Sequence, residues 1–193
     1  MNSIINFFKN IFHSLGLFKK EGKFVFLGLD NAGKSTLLTL LATGRVTQLD
    51  PTKQTHSESL TIKKAKITAF DLGGHKAMRK MWREYFFKID GIVYLVDASD
   101  SARFEESKNE FDSIINSDEI GNVPIVILGN KIDKKEAVSE NELREKFGLV
   151  AKTTFGFQKI EKLNNKPVEL FMCSVVKKTG FVDGLDWLTG KIW

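Results

Sequence analysis

The chain has 193 residues, a formal net charge of +5, one cysteine and 16 phenylalanines. A single cysteine excludes an internal disulfide and points to a reducing compartment. No apolar run reaches the roughly 18 residues of a membrane-spanning helix, and the basic excess is too diffuse to argue for a nucleic-acid partner.

The first segment, MNSIINFFKNIFHSLGLFKK, is the greasiest. On a helical projection Ile4, Phe8, Ile11, Leu15 and Phe18 fall on one line, flanked by Ile5, Phe7 and Phe12. Asn6, Lys9, Asn10, His13 and Ser14 take the other side. Such an amphipathic arc, with Lys19, Lys20 and Lys23 following, predicts an interfacial helix that adheres reversibly to a lipid surface. A signal peptide is not expected, because Lys9, Asn10 and His13 interrupt the run and no small-residue cleavage site follows. Asn2 is no myristoyl acceptor and the last residues form no prenylation box, so the expected anchor carries no lipid. The alternative, a helix packed on its own domain in every state, stays open.

Residues 21–193 are expected to form one domain. Lys23–Gly28 reads as a short buried strand and Lys34–Ala42 as a helix. Residues 44–57 are polar and aperiodic, hence loop. Ser59–Ile62 and Lys66–Phe70 predict a hairpin. Gly91–Asp97 and Val123–Gly129 are near-continuous apolar runs, as expected of strands buried on both faces of a parallel sheet. Ala102–Asn116 has helical spacing, Glu140–Phe147 is a charged helix, and Val168–Cys173 is a strand. Phe181, Leu185, Leu188 and Ile192 give a closing helix its apolar stripe. The alternation predicts an α/β, mostly parallel six-stranded sheet with helices on both faces and its ligand at the strand carboxyl ends. Residues 151–166 are polar and read as a tolerated surface insertion.

The chemistry is concentrated in four short stretches. Gly28-Leu29-Asp30-Asn31-Ala32-Gly33-Lys34-Ser35 fits the phosphate-loop pattern, after a strand and opening a helix. Its backbone N–H groups, from Asp30 through Gly33 to Ser35 and Thr36, are expected to cradle a polyphosphate. Lys34 reaches its outer phosphates, and the Ser35 hydroxyl binds Mg²⁺. Asn130-Lys131-Ile132-Asp133 supplies base choice. The Asp133 carboxylate can accept from two guanine donors that adenine lacks, and the Lys131 stem can cover the base face. Backbone N–H groups at Ser174 and Val175 are expected to reach the guanine carbonyl. Asp71-Leu72-Gly73-Gly74-His75 ends the hairpin. Asp71 holds Mg²⁺ through water, Gly74 offers its N–H to a γ-phosphate and His75 orients the attacking water. Thr52, in the polar loop, is the third metal candidate. Arg79 and Arg83 read as partner-binding or solvated residues, not as a catalytic arginine in cis.

GLDNAGKS, the His after DLGG, GNKID and CSV together resemble the Sar-type small GTPases of the Arf/Sar family, within the phosphate-loop NTPases. The likeness also takes in MWREYFFKIDGIVYLVDASD and VPIVILGNKID. It implies a G domain that binds GTP and GDP with Mg²⁺ and hydrolyses GTP. It also implies peripheral recruitment from the cytosol to the endoplasmic reticulum membrane, with a role in transport to the Golgi. Its partners would be an exchange factor in that membrane and inner subunits of the COPII coat, including a GTPase-activating one. In this family the hairpin between the switch loops slides, by an even number of residues, to displace the N-terminal segment. Two departures stand out: Ser35 replaces the more usual Thr, and Lys53-Gln54-Thr55-His56 replaces a second Pro-Thr pair. An Arf-like GTPase of another membrane, and a nucleotide-binding module without hydrolysis, remain as alternatives.

Overall fold

The structure, a computed structural model, describes residues 22–46, 56–62, 65–71, 79–80, 82–87, 89–149 and 166–192, with the backbone alone for 56–71. The predicted N-terminal helix, Thr52, Gly74 and His75 lie outside the described residues.

Six strands form one sheet: β1 (Gly22–Leu27), β2 (His56–Ile62), β3 (Ala65–Asp71), β4 (Gly91–Asp97), β5 (Ile125–Asn130) and β6 (Val168–Met172). Their order is β2-β3-β1-β4-β5-β6. β2 runs antiparallel to β3, and every other neighbouring pair is parallel. The described helices are α1 (Lys34–Thr43), α2 (Phe104–Ile115), α3 (Glu140–Lys146) and α4 (Phe181–Ile192).

The period-2 pleat sorts the apolar strand residues into two cores. Phe24, Phe26, Val93, Leu95, Val126 and Leu128 pack with Leu37, Leu40 and Leu41 of α1 and Leu185 and Leu188 of α4. Val25, Leu27, Ile92, Tyr94, Ile125 and Ile127 pack on the other face with Phe111 and Ile114 of α2 and Leu143 of α3. Each such side chain, fully buried, stabilises the fold by roughly 1.5–3 kcal/mol. The α/β doubly covered sheet expected from the alternating pattern is therefore the observed architecture.

Local chemistry moves several boundaries. β5 starts at Ile125, two residues later than its apolar run, because Pro124 has no N–H to donate; its carbonyl instead accepts from Ile92 N at 3.0 Å. The stretch read as a helix from Ala102 begins as a 3-10 turn, Ser101–Arg103, before α2. β2 opens at His56, inside the segment read as loop, by pairing with Asp71. Further 3-10 turns at Trp82–Tyr85 and Asp118–Ile120 have no counterpart in the sequence reading.

Arg144 and Lys166 are buried, the latter in a stretch expected at the surface. Arg144 of α3 turns inward, its guanidinium 2.9 Å from both Glu169 Oε1 and Leu170 O. Lys166, last residue of the stretch read as a surface insertion, donates to Ile115 O at 2.6 Å and Ser117 O at 2.8 Å. It thus satisfies carbonyls where α2 ends. Burial pushes its pKa down, opposed by the charge of Asp118.

Candidate nucleotide site

β1 lies between β3 and β4, so the chain leaves its carboxyl end at the point where strand order reverses, the usual ligand position in such sheets. The loop that follows is shaped by what its residues cannot carry. Gly28 has φ +130°, and a Cβ there would lie 2.1 Å from Leu95 O. Asn31 adopts φ 62°. Gly33 stands at the start of α1 with φ 100°, makes no side-chain cap, and no acidic residue follows in the first turn. No carboxylate of the helix's own first turn competes for its N–H groups. Lys34 is buried, and its ammonium donates to Gly28 O and Leu29 O, both at 2.9 Å, from under the loop. An uncapped helix start above a buried ammonium fits a polyphosphate. The Ala32 N–H is turned inward to Leu29 O at 3.3 Å. Ser35 and Thr36 lie in the first turn of α1, half-buried.

Asn130, at the end of β5, ties this loop to the loops expected to read the base. Its amide Nδ2 donates to Ala32 O at 2.9 Å, and its Oδ1 accepts from Val175 N at 3.0 Å. The N–H groups expected to face a base carbonyl are thus turned to protein acceptors, Ser174 N donating to Thr179 O at 3.0 Å. These bonds hold the 173–179 turn. The Ser174 hydroxyl donates to Asp133 Oδ1 and accepts from Lys177 N at 3.1 Å, orienting an otherwise exposed carboxylate. Lys131 sits at φ 71°, and its ammonium lies 2.7 Å from Asp97 Oδ2. Burial pushes the Asp97 carboxyl up, but bonds from Lys131 and Ser99 outweigh it and hold the group below its usual value. Cys173 is buried, which pushes its thiol up to about 12, so it serves packing and not chemistry.

Asp71 ends β3 in register with Phe26, next to the strand that feeds the phosphate loop. Among the described residues no group of three or more His, Cys, Asp or Glu could hold a metal. Hydroxyl and carboxylate oxygens, the kinds that serine and aspartate carry at positions 35 and 71, are hard donors of the type that suits Mg²⁺.

The sequence reading missed a cluster of charges behind the loop. Asp30 pairs with Arg103 at 2.8 Å and lies 3.9 Å from Arg79. Arg79, read as a solvated or partner-binding residue, is buried between Glu106 at 2.8 Å and Glu110 at 2.9 Å. Arg83 is exposed, as expected.

Sheet, loop and helix define a phosphate-loop nucleotide-binding domain. The family model described as "Arf: ADP-ribosylation factor family" matches residues 8–192. The chain belongs to that family and is a small GTPase of the Sar/Arf type. It is 40% identical over 184 residues to "Small COPII coat GTPase SAR1" of Giardia intestinalis, covering 95% of this chain and 96% of that protein. It is 38% identical to the protein of the same name from Nicotiana tabacum, covering 98% of each. A solved structure, "Structure of the Arl6 BBS3 Small GTPase from Trypanosoma brucei with bound nucleotide analogue GppNp", superposes with a TM-score of 0.76 at 25% identity. The match covers 90% of this chain and 99% of that one.

Proposed function

We propose that this chain is a GTP-hydrolysing switch that adheres to the endoplasmic reticulum membrane when loaded with GTP and recruits the COPII coat for transport towards the Golgi. Relatives named as small COPII coat GTPases, similar over nearly the whole chain, carry the coat assignment. The residues around Asn130 support guanine-nucleotide binding, because one amide joins the phosphate loop to the Asp133 and Ser174 loops. Residues 1–20 act as the membrane segment and 21–193 as the G domain. No described helix is long and apolar enough to cross a membrane, which suits a peripheral attachment through the first helix.

In this reading Lys34 and the N–H groups of the loop hold the phosphates and stabilise charge on the transferring group. Ser35, Thr52 and Asp71 would hold Mg²⁺, which would supply charge that neutralises the phosphates. Asp133 selects guanine. Gly74 faces the γ-phosphate and His75 orients the attacking water. Arg79 is committed to Glu106 and Glu110, so it is not a mobile catalytic arginine. Turnover by the chain alone is then slow, and a coat subunit supplies the missing positive charge. Nucleotide loading falls to an exchange factor in the membrane.

Single-turnover hydrolysis of GTP, with and without the activating coat subunit, tests this. The subunit should accelerate the wild-type chain strongly. His75→Gly should keep its nucleotide affinity and lose roughly 100-fold in stimulated rate. Unchanged stimulated turnover in that variant would remove His75 from the mechanism.

A further inference from the structure

The phosphate loop carries a carboxylate, Asp30, although its ligand is a polyanion. The structure shows where that charge goes. Arg103, on the 3-10 turn after β4, reaches Asp30 from 73 positions away in sequence. It donates to Asp30 Oδ1 at 2.8 Å, Oδ2 at 3.3 Å and the main-chain carbonyl at 3.3 Å. The Arg103 fork is itself held by Glu106, whose Oε2 accepts from Nε at 3.0 Å. Glu106 Oε1 accepts from Arg79, and Glu110 takes the other side of that guanidinium. Three carboxylates and two guanidiniums thus form one chain of ion pairs, with Asp30 at its nucleotide end.

We propose that Arg103 is a positioning residue for nucleotide binding, which pins the Asp30 main chain and neutralises its carboxylate beside the bound phosphates. The inference rests on the nucleotide reading above and deepens it. A carboxylate beside a diphosphate or triphosphate opposes binding unless a cation compensates it. A flexible surface cation would do this weakly, because it must be ordered for each event. The Glu106 carboxylate removes that cost by holding the guanidinium in its fork geometry before nucleotide arrives. Arg79 lies farther from Asp30, at 3.9 Å, and serves as the second cation behind Arg103.

The claim makes a demand that a strut would not meet: removing the acid should repair loss of the base. GDP release is followed as the decay of a fluorescent GDP analogue chased with unlabelled GDP, at fixed Mg²⁺. Arg103→Ala should release nucleotide roughly tenfold faster, with a thermal midpoint at saturating GDP close to wild type. Arg103→Lys, which keeps charge but loses the fork, should fall between. Asp30→Ala added to Arg103→Ala should bring release back to within about threefold of wild type. Wild-type release from Arg103→Ala overturns the inference. So does a double variant as fast as Arg103→Ala, which would make Arg103 a structural strut. If the wild-type chain fails to bind the fluorescent GDP, the nucleotide reading falls and this inference with it; in every other adverse outcome that reading stands.

Discussion

The side-chain amide of Asn130 occupies the space that a Cβ on Gly33 would need: the two atoms would lie 2.4 Å apart. From there Asn130 donates to Ala32 O and accepts from Val175 N. The second glycine of the phosphate loop is therefore required twice, once for its φ of 100° and once for the amide beneath it.

Gly33→Ala tests that double requirement. The backbone conformation alone costs about 1–3 kcal/mol for a residue with a Cβ, and Asn130 must also move. A domain of this size loses roughly 2–4 °C in thermal midpoint per kcal/mol. Calorimetry should show such a loss, with nucleotide affinity reduced by more than about tenfold. A variant with wild-type midpoint and affinity would mean that the loop accommodates a side chain as it stands.

Asp133→Asn should move base preference from guanine towards xanthine. The amide keeps an oxygen for the Ser174 hydroxyl, so the turn should hold. It cannot accept from both guanine donors, and it offers an N–H where xanthine has a carbonyl. With two hydrogen bonds to a charged group at stake, GTP affinity should fall on the order of 100-fold. Competition between GTP and XTP for a fluorescent analogue reads the change; equal competition before and after would dissociate Asp133 from base choice.

What could be read in advance was whatever is local. The phosphate loop is one contiguous pattern between a strand and a helix. The Asn130–Asp133 stretch is fixed by its position after a buried apolar run. The sheet announced itself because Gly91–Val96 and Ile125–Leu128 are apolar on both faces. The Asp30–Arg103 pair left no trace, since its members lie 73 positions apart and each looks like an ordinary surface charge. Arg144 was hidden for the same reason: α3 is charged along its length, and only the placement of β6 beside it shows that its single arginine turns inward. The bond from Val175 N to Asn130 Oδ1, 3.0 Å long, was equally hidden, since its partners lie 45 positions apart.

The buried Arg144–Glu169 pair is 1% and 0% exposed at its two side chains. Glu169→Ala should destabilise the fold by about 3–5 kcal/mol, because it strips a carboxylate from a buried guanidinium. The bonds of Arg144 to Glu140 Oε1 and Leu170 O favour the lower end of that range. Replacing both residues by Met should recover most of the loss, since an apolar pair carries no desolvation cost. Denaturant midpoints of the two variants check this, and a single variant as stable as wild type would remove the pair from the account of the fold.

In the proposed function MNSIINFFKNIFHSLGLFKK anchors the chain to membrane under nucleotide control. Liposome flotation measures it directly, using vesicles with anionic lipid and the full chain loaded with GDP or a non-hydrolysable GTP analogue. The chain should float with the analogue and little with GDP. Flotation should be lost, with nucleotide binding retained, when Phe8 and Ile11 are both changed to Asp, because charges on the apolar face oppose insertion. Flotation that is equal in both nucleotide states, or that survives the two aspartates, would mean that the segment is not a nucleotide-controlled anchor.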